Sequence, residues 1–106
     1  APTITALTGA TPELTMDGRS LLPFARHPAR RSRRTVLIQA NKFVGVRTPR
    51  YAYVERRSGQ RELYDLERDP MELRNLTHDE RYAAIQDRLA ALLAELEECA
   101  GRSCLR

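Results

Sequence analysis

The sequence has no tryptophan, only 6% aromatic residues and one lysine, Lys42, in 106 residues. Because large aromatic side chains supply much of the area that a core buries, we expect a small core built from Leu, Ala and Val. No apolar run approaches the roughly 20 residues that span a bilayer, so no association with a membrane is expected. A charged and then apolar leader is also missing, which predicts no signal peptide, and the start at Ala1 indicates a processed or excised piece.

Arginine carries almost all of the positive charge. The net charge is +4, and every one of the 18 basic residues except Lys42 is an arginine. Guanidinium groups match phosphate, sulfate and carboxylate, which is typical of anion-binding proteins. The alternative is a compositional bias, in which many arginines are solvated or paired with the 14 acidic residues.

The first third of the chain, residues 1–34, is predicted to be irregular, apart from a short helical turn that ends at Gly9. Its apolar patch at residues 21–24 needs a partner surface, so we expect this segment to dock on a body outside the chain. Residues 26–34 are rich in arginine and form either a polyanion-binding arm or an exposed connector. No aromatic residue is interleaved for base stacking, which favours the connector.

Two cysteines, Cys99 and Cys104, lie close together near the C-terminus. The four residues between them include Gly101 and Ser103, which are flexible enough to close a small ring. A local disulfide would indicate an oxidising compartment. Free thiols are the second interpretation, and a zinc site is the third, although neither histidine of the chain stands at metal-ligand spacing from another ligand.

The middle of the chain predicts an antiparallel meander. Four short runs rich in β-branched and aromatic residues occupy positions 36–38, 43–46, 51–54 and 63–66, with short turns between them. The predicted strands therefore cover residues 35–66, approximately.

The turn between the third and fourth strands has a predictable register. A two-residue loop would set Glu55 against Glu62, and like charges that face each other across a ladder are unfavourable. A three-residue loop over residues 57–59, with Gly59 in the left-handed region, sets Glu55 against Arg61 instead. We therefore predict the three-residue loop.

A helix is predicted over residues 78–98, approximately. Thr77 and Glu80 fit a capping box, in which each side chain binds the backbone N–H of the other residue. Apolar residues then recur at helical spacing on one face, at Tyr82, Ile85, Leu89, Leu92 and Leu96. This stripe is interpreted as a core face that covers the sheet, and a surface for a partner helix is the alternative. Together these elements predict an α+β fold: a four-stranded antiparallel sheet packed against one long C-terminal helix.

The residue chemistry predicts no catalytic, cofactor-binding or metal-binding residues. There is no glycine-rich phosphate loop and no serine in a G-x-S-x-G elbow. Asp65, Glu67 and Asp69 alternate like calcium ligands, but Pro70 follows directly and nothing completes an EF-hand loop.

Four stretches resemble the C-terminal part of sulfatases, the formylglycine-dependent hydrolases of the alkaline-phosphatase-like superfamily. Residues 1–4, Ala-Pro-Thr-Ile, resemble the segment after the last active-site loops of that family. Residues 17–23 are similar to its D-G-x-S-L-L-P loop, and residues 46–53 to its V-R-T-x-R-Y-K-Y strand pair. Residues 62–76 are similar to its E-L-Y-D-L-x-x-D-P-x-E-x-x-N-L block, which is the most specific of the four. Ala52 stands where the family usually has Lys.

The resemblance implies a smaller C-terminal subdomain, with a four-stranded antiparallel sheet and a long helix across it. It also implies that catalysis depends on residues upstream, namely a formylglycine made from a Cys in a C-x-P/S-x-R motif and a divalent cation, usually calcium. Cys99 does not fit that motif, because Gly101 stands at the position of its Pro or Ser, and Cys104 lies too close to the end. No catalytic residue is therefore carried over.

The motif residues are expected to have structural roles. Strand alternation predicts that Tyr64 and Leu66 bury against the helix while Asp65 points away. Arg47 either faces the substrate cleft of the parent enzyme, where a guanidinium would bind a sulfate, or pairs with a neighbouring carboxylate such as Glu62 or Asp65.

The expected function is therefore that of a C-terminal sulfatase fragment, which shapes the cleft of an enzyme that hydrolyses sulfate esters and is inactive alone. Residues 35–106 would form the subdomain. Its expected partner is the catalytic domain of its own parent chain, in a secreted or periplasmic protein. Two other classes remain open: an arginine-rich polyanion or nucleic-acid binding module, with nucleic acid disfavoured, and an interaction domain that self-associates when isolated.

Overall fold

The computed structural model describes residues 1–30 and 34–104. The chain divides into two compact units, one made of Ala1–Arg33 with Cys99–Arg106 and the other of Arg34–Glu98. The fold is α+β, as predicted.

The first unit contains two short helices. Helix α1 spans Pro2–Thr8 and ends at Gly9, as the sequence predicted, and Gly9 has a left-handed φ of 72°. Helix α2 spans Leu22–Arg26 and lies within the apolar patch, where the sequence had indicated no helix. A proline in its first turn starts this helix, since proline lacks only an N–H that the first turn cannot use. The backbone N–H of Leu21 donates to Oγ1 of Thr3 at 2.9 Å, which ties the two helical segments together.

The two cysteines form a disulfide in this unit. Cys99 and Cys104 are joined with their Cα atoms 5.2 Å apart, around a 3₁₀ turn at Gly101–Cys104. Of the three interpretations of this pair, the disulfide is confirmed. The arginine cluster at residues 26–34 lies partly outside the described residues.

The second unit is a four-stranded antiparallel sheet with one helix. The strands are β1 (Val36–Ala40), β2 (Phe43–Arg47), β3 (Tyr51–Arg56) and β4 (Arg61–Asp65). Their order in the sheet is β1-β2-β3-β4, so each strand pairs with its sequence neighbour, as a meander requires. A 3₁₀ turn at Glu80–Tyr82 leads into helix α3, Ala83–Glu97, which lies against β1, β2 and β3.

The register between β3 and β4 is the predicted one. Glu55 lies opposite Arg61, and their side chains form an ion pair at 3.8 Å. Gly59 has a φ of 86°, and the N–H of Arg56 donates to the carbonyl of Gln60 at 2.8 Å, which closes the three-residue loop. Repulsion between like charges was therefore a sufficient guide to this turn.

The core lies between one face of the sheet and α3. Val46, Tyr53 and Leu63 stand side by side on β2, β3 and β4, and each is at most 1% exposed. Leu89, Leu93 and Leu96 of α3 cover them and are also buried. The predicted stripe was therefore wrong at one position: Leu93 is buried, whereas Leu92 remains half-exposed.

The predicted capping box is wrong as well. Asp79 is the N-cap of the 3₁₀ turn, and its side chain accepts a hydrogen bond from the backbone N–H of Arg81 at 3.2 Å. Thr77 instead donates its own backbone N–H to Oδ1 of Asn75 at 3.1 Å. The helical segment therefore begins two residues later than the Thr77 cap implied.

The predicted alternation along β4 is reversed. Leu63 and Asp65 lie on the face toward the core, at 0% and 1% exposure, while Tyr64 lies on the opposite face and is half-buried. The prediction was wrong because it placed the carboxylate of Asp65 in solvent, which set Tyr64 and Leu66 on the core side of the strand. The polar partner described below makes its burial tolerable.

Candidate functional site: the arginine edge

Arg47 and Arg50 lie at one end of the sheet, beside the carboxylates of Asp65, Glu67 and Glu72. We call these five residues the arginine edge. They come from the end of β2, the β2–β3 turn, the end of β4 and the loop that follows β4. Two of the sulfatase-like stretches, residues 46–53 and 62–76, therefore meet here.

Thr48 shapes the turn that presents the two arginines. Its Oγ1 accepts the backbone N–H of Tyr51 at 2.8 Å and that of Arg50 at 3.3 Å. Its own N–H donates to the carbonyl of Tyr51 at 2.9 Å. A short hydroxyl side chain in this position closes the turn, which accounts for the threonine of the motif.

Arg50 and Asp65 form a two-pronged ion pair. The guanidinium donates from Nη2 to Oδ2 at 2.9 Å and from Nε to Oδ1 at 3.3 Å, and it stacks on the ring of Tyr51 with its Cζ 5.1 Å from the centroid. The hydrogen bonds from Arg50 hold the pKa of the Asp65 carboxyl below its usual range, against the opposing effect of burial. The carboxylate is therefore charged and satisfied, and Arg50 is held in place.

Glu67 adds an exposed carboxylate to the same guanidinium, with its Oε2 at 3.3 Å from Nε of Arg50. The backbone N–H of Glu67 also donates to Oδ1 of Asp65 at 3.3 Å. Asp65 and Glu67 thus turn the chain after β4 and neutralise Arg50, which leaves neither arranged as a ligand of a cation.

Arg47 pairs with Glu72 rather than with either predicted carboxylate. Its Nη1 lies 3.3 Å from Oε1 of Glu72, and the two side chains are 53% and 41% exposed. Glu62 binds Arg56 at 2.6 Å and Asp65 binds Arg50, so both expected partners are occupied elsewhere. Arg47 lies on the face of the sheet opposite α3, and its contact with Glu72 uses Nη1.

The loop after β4 is built by Asp69. Its N–H donates to the carbonyl of Asp65 at 2.7 Å, and its Oδ2 accepts the N–H of Arg74 at 2.8 Å. Its carbonyl accepts the N–H of Glu72 at 3.1 Å. The backbone bonds fix the bends of the loop, and the bond to Oδ2 is the one that requires the aspartate of the D-P-x-E motif.

Asn75 closes the outer border of β4. Its Oδ1 accepts the N–H of Leu63 at 3.1 Å, and its Nδ2 donates to the carbonyl of Arg61 at 3.0 Å. The N–H of Leu76 then donates to the carbonyl of Leu63 at 2.8 Å. The asparagine amide therefore replaces one peptide group of an absent neighbouring strand, which is the physical reason for Asn-Leu at the end of the motif.

Within residues 1–30 and 34–104, no group of three or more His, Cys, Asp or Glu side chains is arranged to hold a metal ion. Sequence reasoning selected Arg47 but missed Arg50, Glu72 and Asn75 as members of a connected network. The signal for Arg50 was available, because the β3–β4 register places Tyr51 opposite Asp65 and so brings the preceding arginine to that carboxylate.

A meander sheet crossed by one helix, with an arginine edge built from two of the sulfatase-like stretches, is consistent with a C-terminal subdomain of a sulfatase. The chain belongs to the family described as N-sulphoglucosamine sulphohydrolase, C-terminal, whose model matches residues 1–99. Both the fold class and the resemblance expected from the sequence are therefore confirmed.

Individual relatives agree with the family. An arylsulfatase of Volvox carteri is 53% identical over 47 residues, which are 44% of this chain and 7% of that protein. The solved structure of a 2-O GAG sulfatase is 30% identical with a TM-score of 0.70, over 96% of this chain and 24% of that one. The phosphonate monoester hydrolase of Agrobacterium radiobacter is 27% identical with a TM-score of 0.67, over 91% of this chain and 23% of that one. The match thus spans a quarter or less of each relative.

None of the described helices combines the length and the apolar character that crossing a bilayer requires. The disulfide and the sulfatase relatives are consistent with an extracellular or periplasmic protein.

Proposed function

We propose that this chain is the non-catalytic, cleft-shaping part of a sulfate-ester hydrolase whose reacting groups lie in the rest of the polypeptide. The observation that carries the proposal is the use of the motif residues. The side chain of Asp65 forms a buried ion pair, that of Asp69 fixes a loop, and that of Asn75 closes the border of a strand. These motif residues therefore stabilise the subdomain. Sulfatases generally use a divalent metal and a formylglycine, and the described residues do not fit a metal site.

Arg47 is the proposed contribution of the subdomain to the cleft. It is half-exposed, and its contact with Glu72 uses Nη1 alone. An arginine has five N–H donors, so Nε and Nη2 are left to bind a sulfate through two parallel hydrogen bonds. In the proposed arrangement, residues 1–34 dock on the catalytic domain and residues 35–106 form the subdomain, in a secreted or periplasmic enzyme.

The test uses the full-length protein encoded by the gene that contains this chain. We expect it to hydrolyse 4-nitrophenyl sulfate, and we expect the 106-residue chain alone to be inactive. Hydrolysis by the isolated chain would contradict the non-catalytic role.

Arg47→Ala in the full-length protein should raise KM about tenfold and leave kcat within twofold, because a charge-assisted fork to the substrate is lost. Arg57→Ala, in the exposed β3–β4 loop, is the matched control and should leave both constants unchanged. Unchanged KM in Arg47→Ala would remove Arg47 from the cleft.

A phosphonate monoesterase is the second candidate, because the Agrobacterium enzyme shares this fold over 91% of the chain. Parallel assays with an aryl sulfate and an aryl phosphonate monoester distinguish the two. A higher kcat/KM for the phosphonate ester would overturn the sulfatase proposal and leave the non-catalytic role of this chain intact.

A further inference from the structure

Glu72 has an unusual backbone for its residue type. Among residues 1–30 and 34–104, it is the one non-glycine residue with a positive φ, at 55°. Left-handed backbone is unfavourable for a residue with a Cβ, and it persists where the surrounding structure demands it. Glutamate also lacks the short polar side chain that lets Asn or Asp tolerate this region.

Neighbouring bonds hold Glu72 in this conformation. Its N–H donates to the carbonyl of Asp69 at 3.1 Å, while the carboxylate of Asp69 accepts the N–H of Arg74 at 2.8 Å, two residues beyond. The bend is thus fixed on both sides of Glu72. A glycine would fill this position without strain, so the presence of a glutamate points to a use for its carboxylate.

The carboxylate reaches the face of the sheet opposite α3, where its Oε1 lies 3.3 Å from Nη1 of Arg47. Arg47, Ala52 and Tyr64 form one row across β2, β3 and β4 on that face. Ala52, the small residue between the other two, is buried at 8% exposure.

We propose that Glu72 is a positioning residue for Arg47. This inference rests on the proposed function, and it explains why a glutamate occupies the left-handed position at residue 72. The Glu72 carboxylate holds Nη1 of Arg47 at 3.3 Å, which restricts the rotamers of a long side chain and leaves Nε and Nη2 outside this contact. The substrate sulfate then meets a guanidinium that is already oriented.

The first experiment measures kcat and KM of the full-length protein for 4-nitrophenyl sulfate. Glu72→Gln keeps the shape and removes the charge, so KM should rise about fivefold, the scale of one exposed ion pair, with kcat unchanged. Arg47→Ala combined with Glu72→Gln should behave like Arg47→Ala alone, because Glu72 acts through Arg47. A KM that falls in Glu72→Gln, or effects that simply multiply, would overturn the proposal.

Two further variants separate positioning from stability. Glu72→Gly removes the carboxylate and the backbone strain together, so KM should rise as in Glu72→Gln while the melting temperature does not fall. Glu97→Gln is the control, since Glu97 is an exposed carboxylate at the end of α3 and outside the arginine edge, and it should leave KM unchanged. A KM rise that appears only in variants with a lowered melting temperature would indicate a structural role and overturn the proposal.

An activity-independent measurement distinguishes this inference from the proposed function. Inorganic sulfate is titrated into protein labelled with ¹⁵N-arginine, and the Nε–H signal of Arg47 is followed by NMR. Half-saturation should require about five times more sulfate in Glu72→Gln than in the wild type. Equal affinities, or no response of Arg47, would refute the positioning role. A normal response in a protein that hydrolyses no sulfate ester would refute the proposed function alone.

Discussion

Asp65 and Arg50 are joined by two hydrogen bonds at the border of the core, with the carboxylate 1% exposed and the guanidinium half in solvent. The pair lies at the last residue of β4, next to Tyr51 of β3. The pair therefore holds the β2–β3 turn against the end of β4, and the buried carboxylate of Asp65 contributes to the stability of the folded subdomain.

Replacing that carboxylate should destabilise the subdomain. Asp65→Asn loses a charge-assisted pair and leaves Arg50 without its main partner, which should lower the free energy of unfolding by about 2 kcal/mol. Urea denaturation at neutral pH measures the change. Glu67→Gln removes the exposed partner of the same guanidinium and should cost less than about 0.5 kcal/mol. Similar losses of unfolding free energy in both variants would contradict the larger contribution assigned to the buried carboxylate of Asp65.

The Asp65 carboxylate should also make the free energy of unfolding depend on pH in the acidic range. Hydrogen bonds from arginines lower the pKa values of Asp65 and Glu62, and that of Asp79 to about 2. A lowered pKa in the folded state contributes stability above the unfolded value, near 4, and this is lost as pH falls through the folded value. The unfolding free energy should therefore decline below about pH 4, less steeply in Asp65→Asn.

Tyr53 should impose the opposite limit at high pH. Burial first, and then the hydrogen bond that its hydroxyl donates to Glu55 at 2.6 Å, raise the pKa of this phenol above its ordinary value. A raised pKa contributes stability that is present below the unfolded value, near 10, and is lost above it. Tyr53→Phe should flatten the alkaline decline, measured by thermal unfolding between pH 9 and pH 11, two values spanning that unfolded pKa of about 10. An unchanged profile would contradict this assignment.

Asn75 should be intolerant of a change that preserves its shape. Asn75→Asp removes the donor to the carbonyl of Arg61 and sets a negative charge against it, which should cost about 1–2 kcal/mol and speed hydrogen exchange at Leu63 and Leu76. Asn41→Asp, in the β1–β2 turn, is the control and should have little effect. Equal exchange rates in the two variants would show that the amide does not protect the border of β4.

Two glycines should respond to alanine for different reasons. At Gly45 a Cβ would lie 2.8 Å from the carbonyl oxygen of Tyr53, so the sheet must deform, and we expect a loss of about 2–3 kcal/mol. At Gly59 a Cβ would meet nothing within 4 Å, so only the positive φ is penalised, by about 1 kcal/mol. Chemical denaturation of both variants gives the order, and a larger loss at Gly59 would contradict it.

The elements governed by local rules were predictable from the sequence. The runs of β-branched and aromatic residues, the charge pattern around Gly59 and the helical spacing from Tyr82 to Leu96 were sufficient for four strands, one register and one helix. The failures arose where a polar side chain has a partner that the pattern of apolar residues does not reveal. Asp65 is buried because an arginine 15 residues away reaches it, and Asp79 displaced Thr77 as the cap because its carboxylate also binds the guanidinium of Arg81.

Arg47 shows the same division between local and distant causes. Its strand and its place in the motif were evident, but its partner came from a loop 25 residues further along, through a backbone conformation that no propensity favours for glutamate. Such a contact follows from the path of the loop after β4, which the sequence pattern of that stretch does not specify. The candidate site was therefore predicted as one residue and found as a network.

The two outer strands of the sheet are finished differently, and this sets a direction for any extension of the fold. Asn75 and Leu76 occupy the outer peptide groups of β4, whereas β1 has β2 as its one strand neighbour in the described chain and exposes Val36 and Ile38. An engineered fifth strand, a split-protein fragment or a circular permutation would have to be grafted beside β1. The outer border of β4 is already occupied by Asn75 and Leu76, which belong to the sulfatase-like motif.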